Sequence, residues 1–274
     1  MLTLREPPLH LNATAPQILR VSDTMVNFRI GAAFAIFLLA NVTLQAAEPA
    51  PVKSRIILRA DGHDIRADLF EQADGRPHPA ILVLHGAGGM LFDGPEMRRV
   101  ASRLAADGNS VYLVHYFEST GTLFARDATM QKNFETWLTT VRDSVAAIQE
   151  RRKDPTPLGI YGYSLGGFLA LAAASDNPRV GAVVEHAGGV WNSRTERIRS
   201  MPPVFMIHGR QDARVPFETY AKPLIPLLCR RAVALETKFF PREGHGFTPA
   251  AMVQVREAAT EFFRRYLSRR PKRS

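Results

Sequence analysis

The chain of 274 residues contains a single cysteine, Cys229. No internal disulfide can form, and a lone sulfur cannot assemble a thiolate metal site. Cys229 falls in the apolar stretch 224–229, where a small buried core residue is expected. No H-E-x-x-H is present and the eight histidines are scattered, so no metal or organic cofactor is expected. No apolar run approaches the roughly 20 residues that a bilayer-spanning helix needs. Acidic residues are missing from Arg264 onward, where Arg264, Arg265, Arg269, Arg270, Lys272 and Arg273 supply six of the nine net positive charges. The basic excess is therefore a tail, expected to be solvated and frayed, and not a groove for nucleic acid. Weak contact with an anionic envelope surface is the one partner it suggests.

The remaining composition is that of an ordinary globular protein, 46% hydrophobic and 22% charged. The length suits one substantial domain. Residues 1–47 read as an N-terminal extension and 48–274 as the domain with its basic tail. Within the extension, Met25 opens MVNFR, the uncharged run IGAAFAIFLLA covers 30–40, and Ala46-Ala47 follow. A short basic start, an apolar run and small residues predict a secretory signal over about 25–47 and an exported, periplasmic protein. Leu44 and Gln45 are larger than the residue usual three positions before a cut, so the alternative is an uncleaved anchor.

From residue 55 strands and helices alternate. Residues 56–58 and 66–70 predict an antiparallel hairpin around Asp61-Gly62. The runs 80–84, 110–115, 158–161, 180–185, 204–208 and 235–240 predict strands, and AILVL at 80–84 one buried on both faces. Helices are expected over 95–107, 132–152, 165–174 and 249–267, with another over 217–230 disturbed by Pro223 and Pro226. Phe134, Trp137, Leu138, Val141, Val145 and Ile148 recur at spacings that put them on one helix face. Repeated strand–helix units predict a mostly parallel sheet with helices on both faces. Sites in such sheets form beyond the carboxyl ends of the strands.

The chemistry is concentrated at four of those ends. GYSLG at 162–166 is G-x-S-x-G, with Ser164 on a tight strand-to-helix turn that glycines two before and two after make possible. The helix from Leu165 aims its free N–H groups at the reacting centre. Asp212, in GRQDARVP, can accept an imidazole N–H and stabilise the imidazolium. Glu185, at the end of the preceding strand, is the competing acid. His245, between Gly244 and Gly246, is suited to general base and then general acid work toward Ser164. HGAGG at 85–89 offers backbone N–H groups to an oxyanion, the expected pair being Leu165 and Ala87, with Gly86 close behind. His85 is expected to brace this loop. Phe92, Tyr116, Phe117, Phe124, His186 and Trp191 are candidates for substrate contact. The loops 116–131 and 187–202 are too short for a helical lid, which predicts an open site suited to small or extended soluble substrates.

HGAGG at 85–89, GYSLGG at 162–167, HGRQDARVP at 208–216 and GHGF at 244–247 together resemble the dienelactone hydrolase family of the α/β-hydrolase superfamily. HYFESTG at 115–121 looks like that family's loop after its next strand. The resemblance spans roughly 55–268 and implies an α/β-hydrolase fold, a Ser164–His245–Asp212 triad and hydrolysis of esters or lactones through an acyl-enzyme. It departs at the nucleophile, which is cysteine in the family's namesake enzymes. A serine peptidase or amidase of similar fold is the alternative, although such enzymes usually carry an added domain. A non-catalytic binding protein on the scaffold is a third reading. The sequence does not fix an oligomeric state.

Overall fold

A computed structural model of the chain describes residues 51–191 and 198–267. The signal segment expected over 25–47, the distal tail residues Arg269, Arg270, Lys272 and Arg273, and part of the 187–202 loop lie outside them.

The described residues build one eight-stranded sheet in the order β1-β2-β4-β3-β5-β6-β7-β8. β1 (Val52–Ala60) and β2 (His63–Glu71) pair antiparallel across Asp61 and Gly62. Both turn residues have positive φ, 49° and 69°, as the right-handed twist of a two-residue hairpin demands. β2 also runs antiparallel to β4 (Ser110–Val114), and the pairings beyond it are parallel. β3 (Ala80–Leu84) lies between β4 and β5 (Leu158–Tyr163), so every residue of AILVL is buried. β6 (Val180–His186), β7 (Val204–Gly209) and β8 (Leu235–Phe240) complete the sheet. The result is an α/β-hydrolase fold with no large lid domain among the described residues.

Alternate side chains of the parallel strands feed two apolar layers. Leu82 and Leu84 face α3 (Asp127–Arg152) and α4 (Leu165–Ala174). Ile81 and Val83 face α2 (Gly94–Ala106) and α7 (Pro249–Leu267) on the other side. The six apolar positions predicted on one face of α3 are all buried. The helix begins five residues earlier than Lys132, because the exposed polar turn at its start carries no core-facing pattern. A short α1 (Gly89–Phe92) precedes α2, and the stretch expected over 217–230 is two pieces, α5 (Phe217–Tyr220) and α6 (Leu224–Arg230). Pro223 stands at the break. Pro226 is tolerated because first-turn N–H groups have no intrahelical partner.

Two expectations are corrected here. Cys229 is exposed, not a core residue: α6 buries Leu224, Leu227 and Leu228, and the next position turns to solvent. Arg264 and Arg265 are not part of a frayed end. They lie in α7, where Arg264 Nε donates to Asp107 at 3.1 Å and Arg265 pairs with Glu236 and Glu261. Among the described residues no helix is long and apolar enough to cross a membrane.

Candidate active site

Ser164 follows β5 directly and caps α4 with φ 54° and ψ −120°. This is a strained conformation for a residue with a side chain, and packing enforces it. A Cβ on Gly162 would lie 2.0 Å from the Gly166 carbonyl oxygen, and one on Gly166 would lie 2.6 Å from the carbonyl oxygens of Leu84 and His85. The G-x-S-x-G glycines therefore let β5, β3 and α4 meet around the serine. The Ser164 N–H donates to the His186 carbonyl at 2.8 Å, which fixes the turn to β6.

Asp212 lies just past β7, and its carboxylate is fully buried. Its Oδ1 accepts the N–H groups of Val215 at 2.7 Å and Arg214 at 2.9 Å. Burial opposes its ionisation, yet hydrogen bonds from His245 and Val215, with His245 and His208 nearby, hold its carboxyl below the usual range. His245 lies past β8, the third strand away from β5. Its loop folds back because the Gln211 N–H donates to the Glu243 carbonyl at 3.0 Å, and the Tyr163 hydroxyl donates to the His245 carbonyl at 3.2 Å. Phe247 packs edge-on against His186, ring centres 4.7 Å apart. Three residues from three strand ends are thereby joined. His245 Nδ1 lies 2.8 Å from Asp212 Oδ2, and His245 Nε2 lies 2.9 Å from Ser164 Oγ. With Nδ1–H donating to the carboxylate, Nε2 is free to accept the serine proton.

Glu185 is fully buried, accepts the Gly188 N–H, and has its carboxyl pushed up to about 8 by burial. It is therefore neutral below that pH, and among the described residues the His245 ring pairs with Asp212 and Ser164 and not with Glu185. His85 is also fully buried, donates from Nδ1 to the Gly86 carbonyl at 2.8 Å, and stacks on Tyr116 at 4.2 Å. Burial brings its pKa down to about 3, so it supports the loop as a neutral ring. Tyr116 and Phe117 form the floor under that loop and are buried, so they pack against it instead of contacting substrate. His186 is buried with its Nδ1 on the Tyr161 hydroxyl at 2.7 Å. Phe92 and Phe124 are exposed and pair with each other at 6.3 Å. Trp191 lines a cavity of about 640 Å³ together with Ser164, Leu165 and Ala87. Phe134, Phe168 and Tyr220 also line it, and no sequence motif marks them as site residues. The helical spacing marks Phe134 only as core-facing, and nothing in the sequence separates core aromatics from cavity walls. Among the described residues, no group of three or more His, Cys, Asp or Glu side chains is placed to hold a metal ion.

A profile of the dienelactone hydrolase family matches residues 65–268. The chain belongs to the dienelactone hydrolase family. Solved structures of similar fold include a dienelactone hydrolase from Anabaena variabilis, 20% identical, covering 80% of this chain and 99% of that one with a TM-score of 0.62. A dienelactone hydrolase-like promiscuous phosphotriesterase from metagenomic libraries is 18% identical over 79% of this chain and 99% of that one, TM-score 0.63. The acylaminoacyl peptidase of Pyrococcus horikoshii is 14% identical, TM-score 0.64, over 81% of this chain but only 43% of the longer peptidase. At these identities the likeness is one of fold. No curated protein matches the chain. Like others of the dienelactone hydrolase family, the chain is a hydrolase in its scaffold; which bond it cleaves is a question for its site.

Proposed function

We propose that this chain is a serine hydrolase of carboxylic esters or lactones, with Ser164 as nucleophile, His245 as general base and acid, and Asp212 as the group that orients and charges the imidazole. The observation that carries this reading is the continuous pair of hydrogen bonds, 2.9 Å from His245 to Ser164 and 2.8 Å from His245 to Asp212. His245 Nε2 takes the hydroxyl proton as Oγ bonds to the ester carbonyl carbon. The oxyanion that forms is held by backbone N–H groups of Leu165 and Ala87. Leu165 opens α4, where the N–H has no intrahelical partner, and Ala87 sits in the turn closed by the Gly89 N–H on the Gly86 carbonyl at 3.1 Å. His245 then returns the proton to the leaving alcohol. Water, deprotonated by His245, attacks the acyl-serine and releases the acid.

The test is hydrolysis of p-nitrophenyl esters from acetate to palmitate by wild type and Ser164→Ala. Activity in the wild type that drops to background in the variant is the expected result, together with fluorophosphonate labelling at Ser164. A folded wild type that turns over no ester and resists the probe would overturn the reading. The second reading is amide hydrolysis, which matching p-nitroanilides would reveal. The secretory pattern over about 25–47 supports an exported enzyme, and N-terminal sequencing of protein from its native host tests that.

A further inference from the structure

Two cavities flank the Ser164 turn, and their walls differ. The first, of about 640 Å³, contains Ser164 and both proposed oxyanion donors. Beyond them its wall is aromatic: Phe168 stacks on Trp191 at 5.0 Å, Phe134 meets Trp191 edge-on at 4.6 Å, and Tyr220 meets Phe168 edge-on at 5.6 Å. Charge is confined to exposed rim residues, Asp127, Glu135 and Arg214. The second cavity, of about 520 Å³, is lined by Tyr163 and Phe247 together with the charged Asp93, Glu96, Arg99 and Arg256. It borders the loop that carries His245, since Phe247 is two residues on and Tyr163 donates to the His245 carbonyl.

The chemistry assigns the two sides. The leaving alcohol must receive its proton from His245 Nε2, so it departs on the histidine side, toward the second cavity. The acyl group stays on Ser164 beside the oxyanion donors and points into the first. We infer that the aromatic cavity is the acyl pocket and that the preferred substrate is an ester of an uncharged, aryl-sized carboxylic acid. The inference rests on the serine hydrolase reading. A cavity of this volume is in the usual range for a small-molecule site. Its ring faces and edges suit an aromatic guest in offset or edge-on contact, whereas an acetyl group would leave most of the wall without a partner. An acyl group bearing a carboxylate would have to give up its hydration against that same wall.

Boronic acids test this, because boron bonds to the serine oxygen and the substituent takes the place of the acyl group. The affinities of methylboronic and 2-phenylethylboronic acid are measured on the full chain by isothermal titration calorimetry, with Ser164→Ala as control. The expected result is at least about tenfold tighter binding of the phenylethyl compound, with the ratio shrinking several-fold in Trp191→Ala. The same ranking is expected in kcat/KM for p-nitrophenyl phenylacetate over acetate. Serine-dependent binding of both boronic acids with affinities within about twofold would overturn the acyl-pocket assignment alone. So would a wild-type preference that folded Trp191→Ala leaves unchanged. Binding of neither, or binding that Ser164→Ala does not weaken, would overturn this inference together with the hydrolase reading beneath it.

Discussion

Glu185 and Asp212 stand at the ends of adjacent strands, β6 and β7, both without solvent exposure at the carboxylate, and their surroundings treat them in opposite ways. Asp212 receives two backbone N–H groups and an imidazole, and its carboxyl is held low. Glu185 receives one backbone N–H, leaves its Oε2 without a partner, and is pushed up to about 8 by burial. Burial raises both; hydrogen bonds and the nearby His245 and His208 rings bring Asp212 back down, whereas Glu185 has one donor and is raised further by the Asp212 charge. A carboxylate that is to stabilise an imidazolium must be the ionised one, so the difference selects Asp212 over its neighbour without reference to distance.

The largest effect that would break this comparison is expected from Asp212→Asn. The amide can hold the ring but presents the wrong hydrogen-bond pattern, and kcat for ester hydrolysis should fall by about four orders of magnitude, with the circular dichroism spectrum unchanged. A loss of less than about tenfold would mean that another acid serves His245. Glu185→Gln should act on stability and not on turnover. Between about 4.5, the value for an unfolded glutamate, and about 8, the unfolded chain has released its proton while the folded chain keeps it. Stability is then lost as pH rises through that window, and this contribution is constant outside it. The amide has no such slope. The difference between wild type and Glu185→Gln in unfolding free energy, from urea titrations across the window, should change by on the order of a few kcal/mol. Parallel curves would show that Glu185 is ionised in the fold. The smallest effect is expected from Arg214→Ala. The Arg214 side chain reaches Asp127 at an exposed pair, 50% and 65% accessible, and its N–H to Asp212 survives the substitution. Stability should fall by less than about 1 kcal/mol. A drop beyond about 2 kcal/mol in the same titration would make the side chain part of what holds the acid loop.

Much of this site was legible in the linear chain, for reasons that can be named residue by residue. Gly162 and Gly166 stand where backbone passes within 2.6 Å or less of any added Cβ, so close packing imprints itself as a motif. Gly244 and Gly246 frame His245 without such crowding: an added Cβ would meet nothing nearer than 3.6 Å at Gly244 and nothing within 4 Å at Gly246. The strands were legible because burial on both faces leaves uninterrupted apolar runs such as AILVL. The start of α3 was not, since exposed residues carry no periodicity. The exposure of Cys229 is hidden for a related reason: an apolar stretch of a short helix does not say which residue ends on the outer face. Tyr116 and Phe117 looked available to a substrate because a loop residue's burial depends on what lies over it.

By itself the sequence determined the order of strands and helices, the strained serine turn, and which residue types stand at each strand end, because all of these rest on local sterics and hydrophobic pattern. Only the tertiary structure decided that His245 reaches back across two strands to Ser164, that Asp212 is ionised while Glu185 is neutral, and that Phe134, Phe168, Trp191 and Tyr220 form one wall. Those outcomes depend on hydrogen bonds, burial and ring contacts between segments as much as 81 residues apart, from Ser164 to His245, and such pairings leave no mark on the neighbouring sequence of either partner.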